Sequence, residues 1–185
     1  DNLYIEGGQT AIIDAVYLAA ERVDAYEKSV NPNDRKRRAL ILVSDGEDRE
    51  SFYNETQLFQ LLREADVQIF TVGFVNELEG DSGFISKSPR KKAKNFLERL
   101  AEETGGKAYF PDNIGQLDGI AQEIARELRT QYSIGYEPTN TLKDGSLRKI
   151  KVVIADGPKN QKRIAVTRTG RVAEKGDGSP SLRNR

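Results

Sequence analysis

The chain has 185 residues, 37% of them hydrophobic and 31% charged, with Lys+Arg and Asp+Glu balanced at 29 each and a mean hydropathy of −0.64. That length supports one domain with a real core, and the balanced charge provides no overall field to draw nucleic acid or an anionic membrane. Cysteine and histidine are both absent, which removes disulfides, Cys/His zinc sites, a cysteine nucleophile and a Ser-His-Asp triad.

No apolar run is long enough to span a bilayer. Missing cysteine leaves the compartment open, because many secreted bacterial domains also lack disulfides. Methionine is absent too, so the chain starts at Asp1 without an initiator. It is expected to be a processed product or a piece of a longer protein.

After a polar lead ending in Gly7-Gly8, the residues Ile12, Ile13, Val16, Tyr17, Ala20 and Val23 recur at helical spacing. The spacing predicts an amphipathic helix from Thr10 to about Ser29, broken by "NPND" at Pro32. Ala39 to Val43 is a continuous apolar run, the pattern of a parallel strand covered on both faces. A second helix is expected from Asn54 or Glu55 to Glu64, and a second strand over "VQIFTVGF", Val67 to Phe74. The polar segment that follows is longer than a usual strand-to-helix connection and is expected to be mobile.

Phe96, Leu97, Leu100 and Ala101 mark a third helix, which Gly105-Gly106 stops in the manner of a glycine C-cap. "KAYF" is a short strand, and Ile114 to Thr130 reads as a helix with Leu117, Ile120, Ile124 and Leu128 on one face. From there the period changes to two. "YSIGYEP", Ile150/Val152/Ile154 and Ile164/Val166 alternate, with "KDGS" and "DGPKN" as turns, which predicts an antiparallel meander with Tyr132 and Tyr136 packed on one strand face. Gly170 to Arg185 is polar and expected to be disordered.

Strand alternating with helix argues for a parallel sheet with right-handed crossovers. Ligands of such sheets bind outside the carboxyl ends of the strands. One end is conspicuous: "LILVSDGEDRES" runs four apolar residues and Ser44 into Asp45, Gly46, Glu47 and Asp48. Clustered carboxylates repel one another, so the arrangement calls for a turn, a cation or a partner.

The segments "GGQTAIIDAVYLA", "LILVSDGEDRES", "VQIFTVGF" and "LERLAEETGGKAYFP" follow one another as in von Willebrand factor A domains. "QYSIGYEPTN", "DGSLRKIKV" and "VTRTG" resemble the tail of a bacterial group related to A domains, seen in acidobacterial proteins. The resemblance implies a Rossmann-like α/β fold, partial here, with a doubly wound parallel sheet and a C-terminal antiparallel β extension. It implies domain limits at residues 1–131 for the A-domain part, 132–169 for the extension and 170–185 for the tail. The bacterial likeness leans toward an extracytoplasmic setting.

The family's hallmark is a metal-ion-dependent adhesion site. An Asp-x-Ser-x-Ser loop, a threonine and an aspartate hold Mg²⁺, and an acidic residue of a partner protein completes the coordination. Matched onto this sequence, Thr10 is the threonine and Asp45 the aspartate. Mg²⁺ takes hard oxygen donors and keeps several waters, so hydroxyls and one or two carboxylates suit it; Mn²⁺ or Ca²⁺ are alternatives. Gly7 and Gly8 allow that loop to approach closely, and Gly8, Gly46, Glu47 and Asp48 are the residues expected at the ligand face, with Glu47 and Asp48 on its rim. The Asp-x-Ser-x-Ser loop itself does not occur. The chain therefore resembles the C-terminal part of an A domain, with the strand at Ala39–Val43 left as an unprotected apolar edge.

Blander roles compete at each position. Thr10 can serve as a helix N-cap, Asp45-Gly46 as a plain turn, and Asp14 as a structural hydrogen-bond acceptor. The basic run Ser88–Asn95 lacks interleaved aromatics and reads as a solvated helix start. The sequon Asn54-Glu55-Thr56 carries little weight. The leading reading is a binding module that takes another protein through an acidic residue. The alternatives are a metal-free scaffold completed by another chain or segment, and a Mg²⁺-dependent phosphoryl-transfer enzyme. The last lacks a glycine-rich phosphate loop.

Overall fold

The computed structural model describes residues 10–29, 38–78, 89–132, 134–158 and 161–173. Gly7 and Gly8, the NPND break, the centre of the long polar segment and the tail beyond Ala173 lie outside the described residues.

Helices and strands fall where the hydrophobic periods place them. Helix α1 spans Ile12–Ser29, β1 Ala39–Ser44, α2 Glu55–Glu64 and β2 Gln68–Gly73. A short 3-10 turn at Val75–Glu77 follows, then α3 Pro89–Thr104 and β3 Ala108–Tyr109. A second 3-10 turn, Ile114–Gln116, leads into α4 Leu117–Arg129, so the expected Ile114–Thr130 helix begins one turn late. Helix α2 starts on a feature not singled out above: Asn54 accepts from the Gln57 N–H while the Gln57 side chain accepts from the Asn54 N–H, a closed capping box. Gly105 (φ +78°) ends α3, with its N–H on the Glu102 carbonyl and the Gly106 N–H on the Ala101 carbonyl. That is a Schellman ending, which favours glycine because the left-handed backbone crowds any Cβ.

The three strands form one parallel sheet in the order β1-β2-β3. Leu40, Leu42, Ile69 and Thr71 share one register face. Leu40, Leu42 and Ile69 pack with α1, α2 and α3, whose Ile12, Val16, Leu58, Leu62, Leu97 and Leu100 are buried. Each such side chain contributes on the order of 1.5–3 kcal/mol of transfer free energy. Polar atoms inside this layer are satisfied. Thr71 donates to the Leu97 carbonyl (3.1 Å), and Thr104 accepts from the Ile69 N–H (3.0 Å) while donating to Leu100 (2.9 Å).

The opposite face carries Phe70, Val72 and Tyr109 beneath Ile124, Leu117, Ile120 and Leu128 of α4. On β1 this cover takes in Ala39 but leaves the rest of that face open. Ile41 and Val43 of β1 sit on the same face, in register with Phe70 and Val72, and are 55% and 57% exposed. Among the described residues β1 is therefore the expected apolar edge, with neither charge nor proline in the strand to protect it. It is not covered on both faces as its continuous apolar run suggested, because α4 does not extend over Ile41 and Val43.

Beyond α4 the sequence pattern and the structure part company. Among the described residues the expected meander reduces to one antiparallel pair of strands, β4 Leu147–Lys149 with β5 Gly170–Val172, beside an isolated bridge between Gly157 and Gln161. Tyr132 and Tyr136 do not pack on a strand face; they are 91% and 62% exposed. Alternation alone forms no strand where no apolar surface lies beneath it. β5 also runs into the stretch expected to be disordered, so ordered backbone continues past Gly170 to Val172. What holds this segment is Arg168. Its guanidinium donates to the carbonyls of Ala65 (2.7 Å) and Leu62 (3.5 Å) at the end of α2 and lies 3.5 Å from Asp66.

Candidate functional site

β1 delivers the chain to the carboxyl end of the sheet, and the Phe74 N–H donates to the Ser44 carbonyl (3.0 Å), so β1 and β2 end side by side. There the chain turns. Asp45 Oδ1 accepts from the Glu47 N–H (3.0 Å) and the Ser44 hydroxyl (3.4 Å), and the Gly46 N–H donates to Ser44 Oγ (3.1 Å). Both contacts of Asp45 fall on Oδ1. Gly46 is buried with φ +81°, and a Cβ there would stand 3.0 Å from Ala93 Cβ and Leu97 Cδ1 of α3. Glycine is needed both for the turn and for the close approach of that helix.

Glu47 is offset within its own loop by Arg49, at 2.5 Å through Nη2 and 3.2 Å through Nε. Asp48 reaches across to α1. Its Oδ1 accepts the Ile13 N–H (3.0 Å) and the Ser51 hydroxyl (2.5 Å), while Ser51 Oγ in turn accepts the Asp14 N–H (3.1 Å). The first turn of α1 is thus capped by a loop thirty-five residues on, with a carboxylate at the positive end of the helix. Asp14 answers in the other direction by accepting the N–H groups of Phe52 (2.8 Å) and Tyr53 (2.9 Å).

These bonds redistribute the roles expected from the sequence. Thr10 is not the N-cap, because α1 starts at Ile12 and Asp48 and Ser51 do the capping. Thr10 instead gives its backbone carbonyl to the Arg49 N–H (2.9 Å), which binds the threonine segment to the acidic loop. Asp14 is a structural acceptor as expected, whereas Ser51 and Phe52 carried no signal of their own. Gly8 lies outside the described residues. Between α1 and β1 runs an open groove of about 640 Å³, lined by Thr10, Ala11, Ile12 and Ala15 on one side and Leu42, Val43 and Ser44 on the other.

The two donors expected from the sequence, the Thr10 hydroxyl and the Asp45 carboxylate, are of the type a hard divalent cation takes, and the bond that ties their segments is the one from the Arg49 N–H to the Thr10 carbonyl. In number they are few: among the described residues no three acidic side chains stand together as a metal cage. Among the described residues no helix is long and apolar enough to cross a membrane.

An open parallel α/β sheet with its polar loops at the strand ends defines a domain of the Rossmann-like class, a fold in which ligands bind at the carboxyl ends of the strands. The von Willebrand factor type A domain model matches residues 1–127, and the chain belongs to that family, whose members are generally protein-interaction modules rather than enzymes. No curated protein matches the chain. Among solved structures it is similar to an uncharacterized membrane spanning protein from Vibrio fischeri, at 26% identity over 51% of this chain and 48% of that one, TM-score 0.40. It is also similar to an aerotolerance-related membrane protein from Bacteroides fragilis NCTC 9343, crystallised with multiple mutations to serines, at 20% identity over 66% of this chain and 60% of that one, TM-score 0.43. The chain thus spans about half to three-fifths of the length of these solved relatives.

Proposed function

We propose that this domain binds another protein in the adhesion manner, with Thr10 and Asp45 holding a divalent cation, Mg²⁺ or alternatively Mn²⁺ or Ca²⁺, whose coordination an acidic residue of the partner completes. The observation that carries the reading is the bond from the Arg49 N–H to the Thr10 carbonyl, which keeps the two donor segments together. The cation supplies an open position for an anionic oxygen. The protein supplies the frame: Gly46 and Ser44 shape the turn below Asp45, and Asp48, anchored on α1, keeps the loop from drifting. Glu47 and Asp48 form the rim that a partner meets. No nucleophile is needed, and no catalytic step is assigned.

Calorimetric titration of Mg²⁺ and Mn²⁺ into the folded chain, with Thr10→Ala and Asp45→Ala beside it, tests this. Saturable binding lost in both variants supports the site. Absence of binding by the folded wild-type chain rejects it.

A second reading has an observation of its own. β1 has no strand partner on its outer side among the described residues and exposes Ile41 and Val43. This favours a scaffold completed by another chain or by a further segment of the same polypeptide, and concentration-dependent mass in solution distinguishes it.

A further inference from the structure

Phe52 stands apart among the body's apolar residues: it is 85% exposed, more than any other large hydrophobic residue described between Ile12 and Arg129. An exposed aromatic on a loose loop is unremarkable. This one is held. Its own N–H and that of Tyr53 both end on the Asp14 carboxylate, and the preceding Ser51 is tied to the Asp14 N–H and to Asp48. The ring meets Tyr53 edge-on (5.3 Å, 88°), and Tyr53 stacks flat on Tyr17 of α1 (3.8 Å, 8°). The backbone beneath Phe52 is pinned to the first turn of a helix, and the ring leans on an aromatic stack.

Fixing a side chain before binding removes an ordering cost that a mobile one would meet on association. Rigid aromatics in that condition are what interface hot spots are made of. The charge around it selects the occupant. From Asp45 to Glu55 the sequence has five carboxylates (Asp45, Glu47, Asp48, Glu50 and Glu55) and one cation, Arg49. Arg49 pairs with Glu47 and Arg99 of α3 with Glu55 (3.0 Å), so Asp45, Asp48 and Glu50 set the remaining negative charge of the loop. With no cation bound, an apolar segment bordered by basic side chains complements that surface and an acidic one is repelled.

We infer that Phe52 anchors a second contact surface, independent of any cation, which takes a protein segment presenting an aliphatic side chain flanked by lysine or arginine. The contact uses the ring for apolar burial and the acidic loop for orientation. It shares a loop with the cation site proposed above but needs no metal.

The test is an array of immobilised peptides with a central leucine flanked by arginines, probed with the whole chain in EDTA. Matched peptides carry serine for the leucine, or glutamates for the arginines. The wild-type chain is expected to retain the Arg-Leu-Arg peptides, with binding weakened about tenfold by leucine-to-serine replacement and by Phe52→Ser in the protein. Phe52→Tyr keeps the ring and is expected to keep the binding. Because Phe52 is exposed, both variants are expected to melt with the wild type, and the melts are recorded alongside. Retention of no peptide by the wild-type chain overturns the inference. So does equal retention by Phe52→Ser, or equal retention of the serine peptides, which would leave charge alone. EDTA separates this result from the fate of the cation site.

Discussion

Asp14 and Asp48 cap each other's segments. Asp48 accepts the Ile13 N–H at the start of α1, and Asp14, one residue on, accepts the Phe52 and Tyr53 N–H groups four and five residues after Asp48. Asp14→Ala leaves two backbone donors of the loop without their partner and is expected to cost about 2 kcal/mol. Asp48→Ala removes a helix cap and is expected to cost about 1 kcal/mol. Because the two contacts hold one junction, urea titration of the double variant should give less than the sum of the singles.

Gly105 is constrained from two sides. Its φ of +78° is costly for any other residue, and a Cβ there would meet the Arg168 nitrogen at 2.6 Å and the Thr167 carbonyl carbon at 2.9 Å. Gly105→Ala should cost at least the roughly 1–2 kcal/mol of a left-handed alanine. It should also push the 167–168 backbone off the body, which thermal melting and proteolysis of that segment can follow together.

Arg168 ties the C-terminal segment to the end of α2, and burial lowers its affinity for the proton despite the nearby Asp66. Arg168→Ala leaves the Leu62 and Ala65 carbonyls without this donor and is expected to cost about 1–3 kcal/mol. Arg168→Lys, which lacks the planar fork, should recover only part of it. Limited proteolysis should then cut between Thr130 and Gly170 sooner than in wild type, while the body resists.

Tyr109 is buried beside α4, and its hydroxyl has no hydrogen-bond partner among the described residues. Burial, followed by the charges of Glu127 and Glu123, raises its pKa above the usual tyrosine value. The sign follows from linkage. A group with a raised folded-state pKa contributes stability that is complete below the unfolded value of about 10 and is lost as pH rises through the folded value. Tyr109→Phe should therefore be nearly neutral at pH 7 and should flatten the loss of stability above about pH 10, measured by denaturant midpoints across that range.

Ile41 and Val43 lie on an exposed strand face, so Ile41→Lys should change monomer stability by no more than about 0.5 kcal/mol. It should instead reduce self-association at high concentration, as read by light scattering. A large loss of stability in a strictly monomeric chain would contradict the exposure of that face.

Much of this protein was set by the sequence alone. The 3.6-residue period of α1 to α4, the apolar runs of β1 and β2, the capping box at Asn54 and the glycine stop at Gly105 are local, and local patterns act over a few residues. The position of Asp45 at a strand end is legible for the same reason. Only the tertiary structure decided that Asp48 and Ser51, rather than Thr10, cap α1, since that bond joins residues thirty-five apart. The alternating residues after Gln131 looked like strands, yet a strand needs a partner and a surface to cover. Here the folded body supplies Arg168 with an anchor at Ala65 and leaves Ile134, Tyr136 and Ile164 exposed.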